Sequence, residues 1–256
     1  MEFFSGNENL SKYWFRAKSQ LPGYAVNETG LQVAPGEDLG SSHRHMSPYM
    51  AIYPLCLLDI DNKEDKEIIE RSIRQIESKG TRQWVGYSFS WMACIYARAR
   101  QAEKAVRQLQ IFASNFCSPN SFHLNGDQKG GQYSSFTYRP FTLEGNFAFA
   151  QGIHELLLQS RNGHIEVFPA IPTTWRNVSF KTLRAEGAFL VSAKMENAVI
   201  SEVTVTAERG GTLKLKKKPF KTFYLDDTQK KYELENGILI IPMKKGETIT
   251  IKNGYE

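Results

Sequence analysis

The spacing of hydrophobic residues changes once along the chain, near residue 163. Before that point apolar residues recur every three to four positions, as on one face of a helix, and after it they alternate with polar residues, as along a half-buried strand. The sequence therefore predicts a helical domain over residues 1–162 and a β domain over residues 163–256.

Several stretches of the first domain have the length and the periodicity of helices. They cover residues 8–20, 45–59, 62–78, 88–99, 102–115 and 145–160. The third has the clearest limits, because Asp61 or Asn62 suits its N-cap and Gly80 suits its end. The residues expected on the buried faces of the last two are Ala102, Ala105, Val106, Leu109 and Phe112, then Phe147, Ala150, Ile153, Leu157 and Leu158.

The second domain contains about seven short alternating stretches, which predict antiparallel strands. Turn residues separate them at Arg209-Gly210-Gly211, Asp226-Asp227 and Asn236-Gly237. Such a series of short strands is typical of a β-sandwich. Because the helices and strands form separate blocks, the fold class is α+β with two domains, not an alternating parallel sheet.

The charge distribution changes this description little. The chain has 256 residues and a formal net charge of +5, and its only dense basic run is KLKKKPFK at residues 214–221. This run lies in a strand-like stretch, so a lysine-protected sheet edge is a simpler explanation than nucleic-acid binding. Cys56, Cys94 and Cys117 are far apart in apolar helical stretches, where buried free thiols are expected and no disulfide framework is implied.

Several classes of protein lack support in the sequence. The first residues do not resemble a signal peptide, and no apolar run approaches the roughly 20 residues of a membrane span. No GxGxxG, P-loop or HExxH motif is present. We therefore expect no cofactor, no metal, no nucleic acid and no membrane partner.

The candidate chemistry lies in polar and aromatic segments between the helices. His43, Arg44 and His45 precede a helix; a guanidinium and imidazoles suit hydroxyl-rich ligands, and the alternative is that they only cap the helix and bridge loops. Trp84 lies in a loop and is the better candidate for stacking on a sugar, although core packing is the alternative. In the glycine-rich segment 122–140, Asp127 is expected on a mobile surface loop and His123 receives no role.

Glu144 differs from these residues because it lies beside Gly145 at the start of a helix, whose dipole favours negative charge. Glutamate is a poor N-cap, so Thr142 or Asn146 is expected to cap instead. This leaves the Glu144 carboxylate free to act as a general base.

At these residues the sequence resembles glycoside hydrolase family 95, which contains inverting α-L-fucosidases and relatives that act on α-L-galactosides. The segments that carry the resemblance are HRHMSPYMAIYP, GYSFSWMACIYARARQAEKAV, RPFTLEGNFAFAQGIHELLLQS and GHIEVFPAIPTTWRNVSFKTLRAEGAFLVSAKM. They follow the family order over roughly residues 40–195, and together they are far more specific than any single motif.

The resemblance implies the fold and part of the site. The family has an (α/α)6 toroid of twelve helices followed by a C-terminal β domain, so this chain looks like half of the toroid plus that domain. In the family, the acid glutamate and the asparagine pair that holds the attacking water precede the HRH motif, so they are expected upstream. Arg44, His45 and His43 match the sugar-contacting motif, and Glu144 with Asn146 matches its DGN motif, with glutamate in place of aspartate.

Other departures concern substrate preference. Pro48 replaces the second histidine of the family motif HLSH, Met92 replaces the lysine of AWK, and Tyr138 or Arg139 occupies the position of the histidine before PPFQIDGN. Because these positions lie in or beside the matched motifs, they leave open a preference for a sugar other than fucose.

The leading hypothesis is an α-L-fucosidase-like glycosidase that needs the upstream half for full activity, with catalytic Glu144 and with His43, Arg44, His45, Trp84 and Asn146 binding a glycan. The alternatives are a non-catalytic carbohydrate-binding or structural remnant, and a sugar phosphorylase in which Arg44 and Arg139 would donate hydrogen bonds to phosphate. Exposed faces of a half-toroid predict self-association or pairing with the missing half. A full-length relative is expected to be secreted or periplasmic.

Overall fold

The computed structural model describes residues 8–216, 220 and 222–254. The helices are α1 (Glu8–Ser19), α2 (Lys63–Lys79), α3 (Gly86–Arg98), α4 (Ala102–Asn115) and α5 (Glu144–Leu157). The strands are β1 (Val26–Asn27), β2 (Gly30–Leu31), β3 (Leu158–Arg161), β4 (His164–Val167), β5 (Val178–Ala185), β6 (Phe189–Glu196), β7 (Val199–Ala207), β8 (Gly211–Lys216), β9 (Phe223–Leu225), β10 (Glu233–Glu235), β11 (Ile238–Met243) and β12 (Thr248–Asn253). Helices of a partial (α/α)6 toroid are thus followed by a largely antiparallel β-sandwich, which confirms the predicted fold class.

The limits of α2 follow local capping rules. The Asn62 side chain accepts a hydrogen bond from the Asp65 amide at 3.0 Å, and Gly80 ends the helix with a positive φ of 68°. A left-handed conformation at this position favours glycine. The predicted N-cap and the predicted end of this helix are therefore confirmed.

The core of the helical domain forms around α3, which is buried along almost its whole length and packs against α4 and α5. An ion pair joins α3 to α5, with Arg98 Nε 2.6 Å from Glu155 Oε2 and both side chains buried. Gly152 permits the close packing of α5, since a Cβ there would lie 2.9 Å from Leu109. Helix α3 therefore holds the neighbouring helices in place.

The β domain consists of two five-stranded sheets with a shared hydrophobic core. One sheet has the order β10-β11-β8-β4-β3 and the other β5-β6-β7-β12-β9. Among the described strands, every pairing is antiparallel except the contact of β4 with β8, at Ile165 and Leu215. Asn236 and Gly237, both with positive φ, form the predicted turn between β10 and β11.

A cluster of charged side chains joins the two domains. Arg100, in the turn after α3, lies 2.6 Å from Asp61 and 3.0 Å from Glu166 of β4. Lys216 of β8 pairs with both of these carboxylates, and Arg161 of β3 lies 2.7 Å from Asp59. Because Glu166 and Arg161 are buried, the cluster fixes the loop before α2 against the first sheet.

The helix predicted at residues 45–59 is wrong. The segment contains only a short 3-10 turn, Ser47–Tyr49, followed by further turns. Pro54 cannot donate the backbone hydrogen bond that a helix requires, and its ring would clash with the preceding turn. The apolar residues of this segment, such as Tyr49 and Ile52, are instead buried by a series of turns.

Four strands were not predicted: the short hairpin of β1 and β2 within the helical domain, and strands β3 and β5. Strand β3, assigned by periodicity to the end of the last helix, pairs with β4 through a turn in which Asn162 and Gly163 have positive φ. Strand β5 contains an irregularity between Phe180 and Leu183, which interrupts the alternation of period two. The change from helix to strand lies between residues 157 and 158, and the domain division at residue 162 stays a prediction.

The lysine-protected edge and the setting of two cysteines also require correction. Strand β8, which carries Lys214 and Lys216, is paired on both sides and is not an edge strand; the rest of the basic run, apart from Phe220, lies outside the described residues. Lysine is tolerated there because the Lys216 ammonium has two carboxylate partners. Cys94 is buried in α3, whereas Cys56 and Cys117 are half-buried outside helices.

Candidate functional site

The loop with His43, Arg44 and His45 is fixed to the first turn of α3. The Ser88 hydroxyl donates a 2.6 Å hydrogen bond to the carbonyl oxygen of Arg44 and accepts one from the Val85 amide at 3.2 Å. The side chains of His43, Arg44 and His45 are nevertheless exposed. The backbone of this loop is therefore held in place while its polar side chains remain accessible to a ligand.

The two histidines of this loop contact each other. Their ring centroids lie 5.2 Å apart in an edge-to-face arrangement, and the His45 amide donates to His43 Nδ1 at 3.2 Å. Partial burial and then the positive charge of Arg44 lower the pKa of His45. A neutral imidazole can both donate and accept hydrogen bonds, which suits a sugar hydroxyl.

Glu144 is the first residue of α5 and its side chain is exposed. The N-cap position is Leu143, with no side-chain capping bond, so capping by Thr142 or Asn146 was predicted wrongly. Both side chains are used elsewhere: Thr142 Oγ1 lies 2.8 Å from His123 Nδ1, and Asn146 bonds to the backbone of Ser121 and His123. The Glu144 carboxylate makes no capping bond and faces the surface.

The starts of α3 and α5 lie at the same end of the helical domain, because both contact His123. A Cβ added to Gly86 would lie 2.2 Å from His123 Nε2, and one added to Gly145 would lie 2.2 Å from His123 Nδ1. Because Arg44 is bonded to the first turn of α3, the histidine–arginine loop and Glu144 share this end of the domain.

Tyr87 connects these parts and was missed from the sequence. Its side chain is half-buried, and its ring lies edge to face with Trp91 at 5.7 Å. Burial, then Cys94, then the negative charge of Glu144 raise the pKa of Tyr87. Gly86, next to Tyr87, and Gly145, next to Glu144, both lie against His123, which places Tyr87 at the candidate site. The aromatic GYSFSW segment was the sequence feature that could have indicated it.

The structure places Trp84 in the core. Only 4% of the side chain is exposed, and its ring packs edge to face against Phe89 at 5.0 Å. A ring with no free face cannot stack on a sugar, so the core alternative replaces the predicted contact. The Asn146 side-chain amide is likewise hydrogen-bonded to the backbone of Ser121 and His123, so it stabilises the loop at residues 121–123.

Asp127 does not lie on a mobile surface loop, contrary to the prediction. It is 1% exposed and accepts hydrogen bonds from the amides of Lys129 and Tyr133, both at 2.8 Å, and from the Asn115 side chain at 3.2 Å. These bonds fold the glycine-rich segment around the carboxylate. Asp127 is therefore a structural residue of this loop.

The remaining features of the described residues do not indicate a second functional site. A cavity of about 340 Å³ between the β1–β2 hairpin and α2 is lined by residues of both charge signs, including Asp38 and Arg71. No group of three or more histidine, cysteine, aspartate or glutamate residues is arranged to hold a metal within the described ranges. Of the helices described, none is long and apolar enough to cross a membrane.

Comparison with known proteins shows the family of the chain. The family model described as "Glycosyl hydrolase family 95 catalytic domain" matches residues 2–157, and "Glycoside hydrolase family 95, C-terminal domain" matches residues 159–251. A protein named alpha-L-fucosidase 2 from Arabidopsis thaliana is 28% identical over 212 residues, which is 79% of this chain and 24% of that protein. The chain thus spans about a quarter of the length of this relative, and it belongs to glycoside hydrolase family 95.

Proposed function

We propose that this chain supplies the base side and part of the sugar-binding surface of an inverting glycosidase that acts on α-L-fucosyl or α-L-galactosyl linkages. The observation that supports this most strongly is the shared position of Glu144 and the histidine–arginine loop at one end of α3 and α5. Membership of family 95 and the fucosidase relative support the same class of reaction.

In the proposed mechanism Glu144 is the negative charge on the base side. Inverting hydrolysis needs an acid that protonates the leaving oxygen and a base that activates a water on the opposite face of the sugar. Glu144 is exposed at a helix N-terminus and makes no capping bond, so its carboxylate is available either to accept the proton of that water or to polarise the groups that do.

The exposed side chains of His43, Arg44 and His45 bind sugar hydroxyls in this proposal. Arg44 offers several donors in a fixed plane, while a neutral His45 can donate or accept. The fixed carbonyl of Arg44 limits motion of the loop, which reduces the entropy lost when the sugar binds. Tyr87, in the first turn of α3 with Ser88, adds a phenol to the same surface.

The acid is not among these residues. Of the other carboxylates, Asp127 is enclosed by its hydrogen bonds, and Asp38 accepts hydrogen bonds from Asn27 and Gln32, each at 2.9 Å. We therefore expect this chain alone to show no enzymatic turnover of aryl α-L-fucosides or aryl α-L-galactosides. Turnover is expected when the chain is joined in one polypeptide to the part of a family 95 enzyme that precedes the matched segment.

The test compares Glu144→Gln with Glu64→Gln in that joined protein. Glu64 is an exposed glutamate in the first turn of α2 and serves as the matched control. Glu144→Gln should lower kcat by roughly 10²- to 10⁴-fold with little change in folding, because removal of a base acts on the transition state. The sugar first released should be the β-anomer. Equal kcat values for the two variants would show that Glu144 has no such role.

A further inference from the structure

His123 occupies the contact between the starts of α3 and α5. Its side chain is 0% exposed, and its ring packs against Phe112 with centroids 5.1 Å apart. Gly86 of α3 lies against Nε2 and Gly145 of α5 lies against Nδ1, and a Cβ at either glycine would come within 2.2 Å of the ring. The imidazole therefore sets how closely the two helix starts approach each other.

Hydrogen bonds attach His123 to both sides of Glu144. Its Nδ1 lies 2.6 Å from the carbonyl oxygen of Thr142, and its backbone amide donates to Asn146 Oδ1 at 2.9 Å. The Thr142 amide in turn donates to the His123 carbonyl oxygen at 3.2 Å. Residues on both sides of Glu144 in the sequence are thus bonded to one buried residue.

The choice of histidine at this position is chemically informative. A carbonyl oxygen only accepts, so Nδ1 carries the ring proton and donates to Thr142. The buried Nε2 then has no hydrogen-bond partner among the described residues, which disfavours histidine at this position for stability alone. A phenylalanine would fill a similar space without that penalty, but it could not donate to Thr142.

We propose that His123 is a positioning residue for Glu144. Its ring is held between Gly86 and Gly145 and is bonded to Thr142. In this way it fixes the Glu144 carboxylate relative to Tyr87 and to the histidine–arginine loop. The inference rests on the proposed function, because the position of Glu144 matters chemically only if its carboxylate takes part in the reaction. His123 itself is buried beneath the surface and acts through Glu144.

The experiment uses Tyr87 as a reporter of where Glu144 lies. The phenol is titrated by NMR in protein labelled with ¹³C at the tyrosine ζ carbon, with and without Glu144→Gln. Because the charge of Glu144 contributes to the raised pKa of Tyr87, this substitution should lower the midpoint of the Tyr87 titration. The size of that change measures the coupling between the two side chains and requires no sugar.

The coupling is then measured in three variants of the whole chain. His123→Phe keeps an aromatic ring but loses the donor to Thr142, and the coupling should fall by at least half. His123→Asn places an amide donor near the position of Nδ1 and should retain most of it. His154→Phe changes another histidine on α5, ten residues from Glu144, and should leave the coupling unchanged.

Full coupling in His123→Phe would overturn the inference. If that variant does not fold, Gly145→Ala provides the second test, since the added Cβ crowds the ring from the side of α5 and should also reduce the coupling. Unchanged coupling in a folded Gly145→Ala would equally overturn it. Failure of the proposed function would appear separately, as unchanged turnover in Glu144→Gln, so the two failures are distinguishable.

Discussion

The hydroxyl of Ser88 donates a 2.6 Å hydrogen bond to the carbonyl oxygen of Arg44, across 44 residues of sequence. Ser88 is fully buried on the first turn of α3, whereas the Arg44 side chain is exposed. One bond thus connects a rigid core helix to the loop that we propose binds sugar. The position of this loop relative to Glu144 depends on the same core that holds α3 and α5 together.

Removal of this bond should loosen the loop. Ser88→Ala is expected to lower the free energy of unfolding by about 1–3 kcal/mol, because it leaves the Arg44 carbonyl and the Val85 amide without their partner. Ser90→Ala is the control, since the buried Ser90 hydroxyl makes only a 3.4 Å contact with Gly145. Urea denaturation measures both variants. An equal or larger loss for Ser90→Ala would contradict the importance of the Ser88 bond.

The buried pair Arg98–Glu155 should be costly to break from one side. Glu155→Ala leaves the Arg98 charge buried without its partner, and the expected loss of unfolding free energy is about 3–5 kcal/mol. Glu70→Ala removes a partner of the exposed pair with Lys66, and its expected loss is below about 1 kcal/mol. Denaturant unfolding monitored by circular dichroism should show this difference, and similar losses for the two variants would contradict it.

Stability should decrease as the solution becomes mildly acidic. Burial lowers the pKa of His123, His154 and His164 below the ordinary value of 6.5. Below pH 6.5 the unfolded chain therefore binds more protons than the folded chain, and stability is lost from that value down to the folded pKa values. Each unmatched proton changes the free energy of unfolding by up to about 1.4 kcal/mol per pH unit.

Urea unfolding between pH 8 and pH 5.5 tests this dependence. Asp59 and Asp61 do not interfere, because their pKa values are lowered from 3.8 and their contribution is lost only at lower pH. His123→Asn should make the decrease less steep, because it removes the most deeply buried of the histidines with a lowered pKa. Stability that is constant or that rises from pH 8 to pH 5.5 would be incompatible with buried, neutral histidines.

The exposed face of α5 should promote association. Phe147, which was expected to be buried, is 66% exposed, and Phe122, Phe141 and Leu143 near the start of the helix are 45–50% exposed. A contiguous apolar surface is unusual for a soluble monomer. The mass from light scattering should therefore rise with protein concentration, and Phe147→Asp should reduce this rise.

Tyr224→Asp is the control for that substitution. Tyr224 is an exposed aromatic residue as well, at 46%, but it belongs to β9 of the β domain. It should leave the concentration dependence unchanged. A wild-type chain that stays monomeric at all concentrations would contradict the prediction, as would an equal effect of the two substitutions.

Local rules predicted those elements whose signals are local. The cap at Asn62, the end at Gly80 and the turn at Asn236-Gly237 each depend on the chemistry of a few neighbouring residues, and the structure confirms them. The helix at 45–59 failed because apolar spacing was given more weight than Pro54. The exposed face of α5 could not be predicted, since burial depends on which surface lies opposite a helix.

In the candidate site, too, features set by neighbouring residues could be predicted and features set by distant contacts could not. His43, Arg44, His45 and Glu144 were proposed from short motifs, and the structure shows that their side chains are exposed. Their supports were not identified, because they arise from contacts between distant parts of the chain. His123 becomes informative only when Gly86 and Gly145 are seen against its ring.

Mapping of sugar binding on the labelled chain tests the central claim most directly. The claim is that Glu144 and the histidine–arginine loop form one sugar-binding surface. L-fucose is titrated into ¹⁵N-labelled protein and followed by NMR, with D-fucose as the enantiomeric control. The account predicts saturable shifts of the His43 and His45 resonances together with the Glu144 and Gly145 amides, with one common affinity, and none with D-fucose. Shifts at only one of the two segments, or equal shifts with both enantiomers, would contradict it.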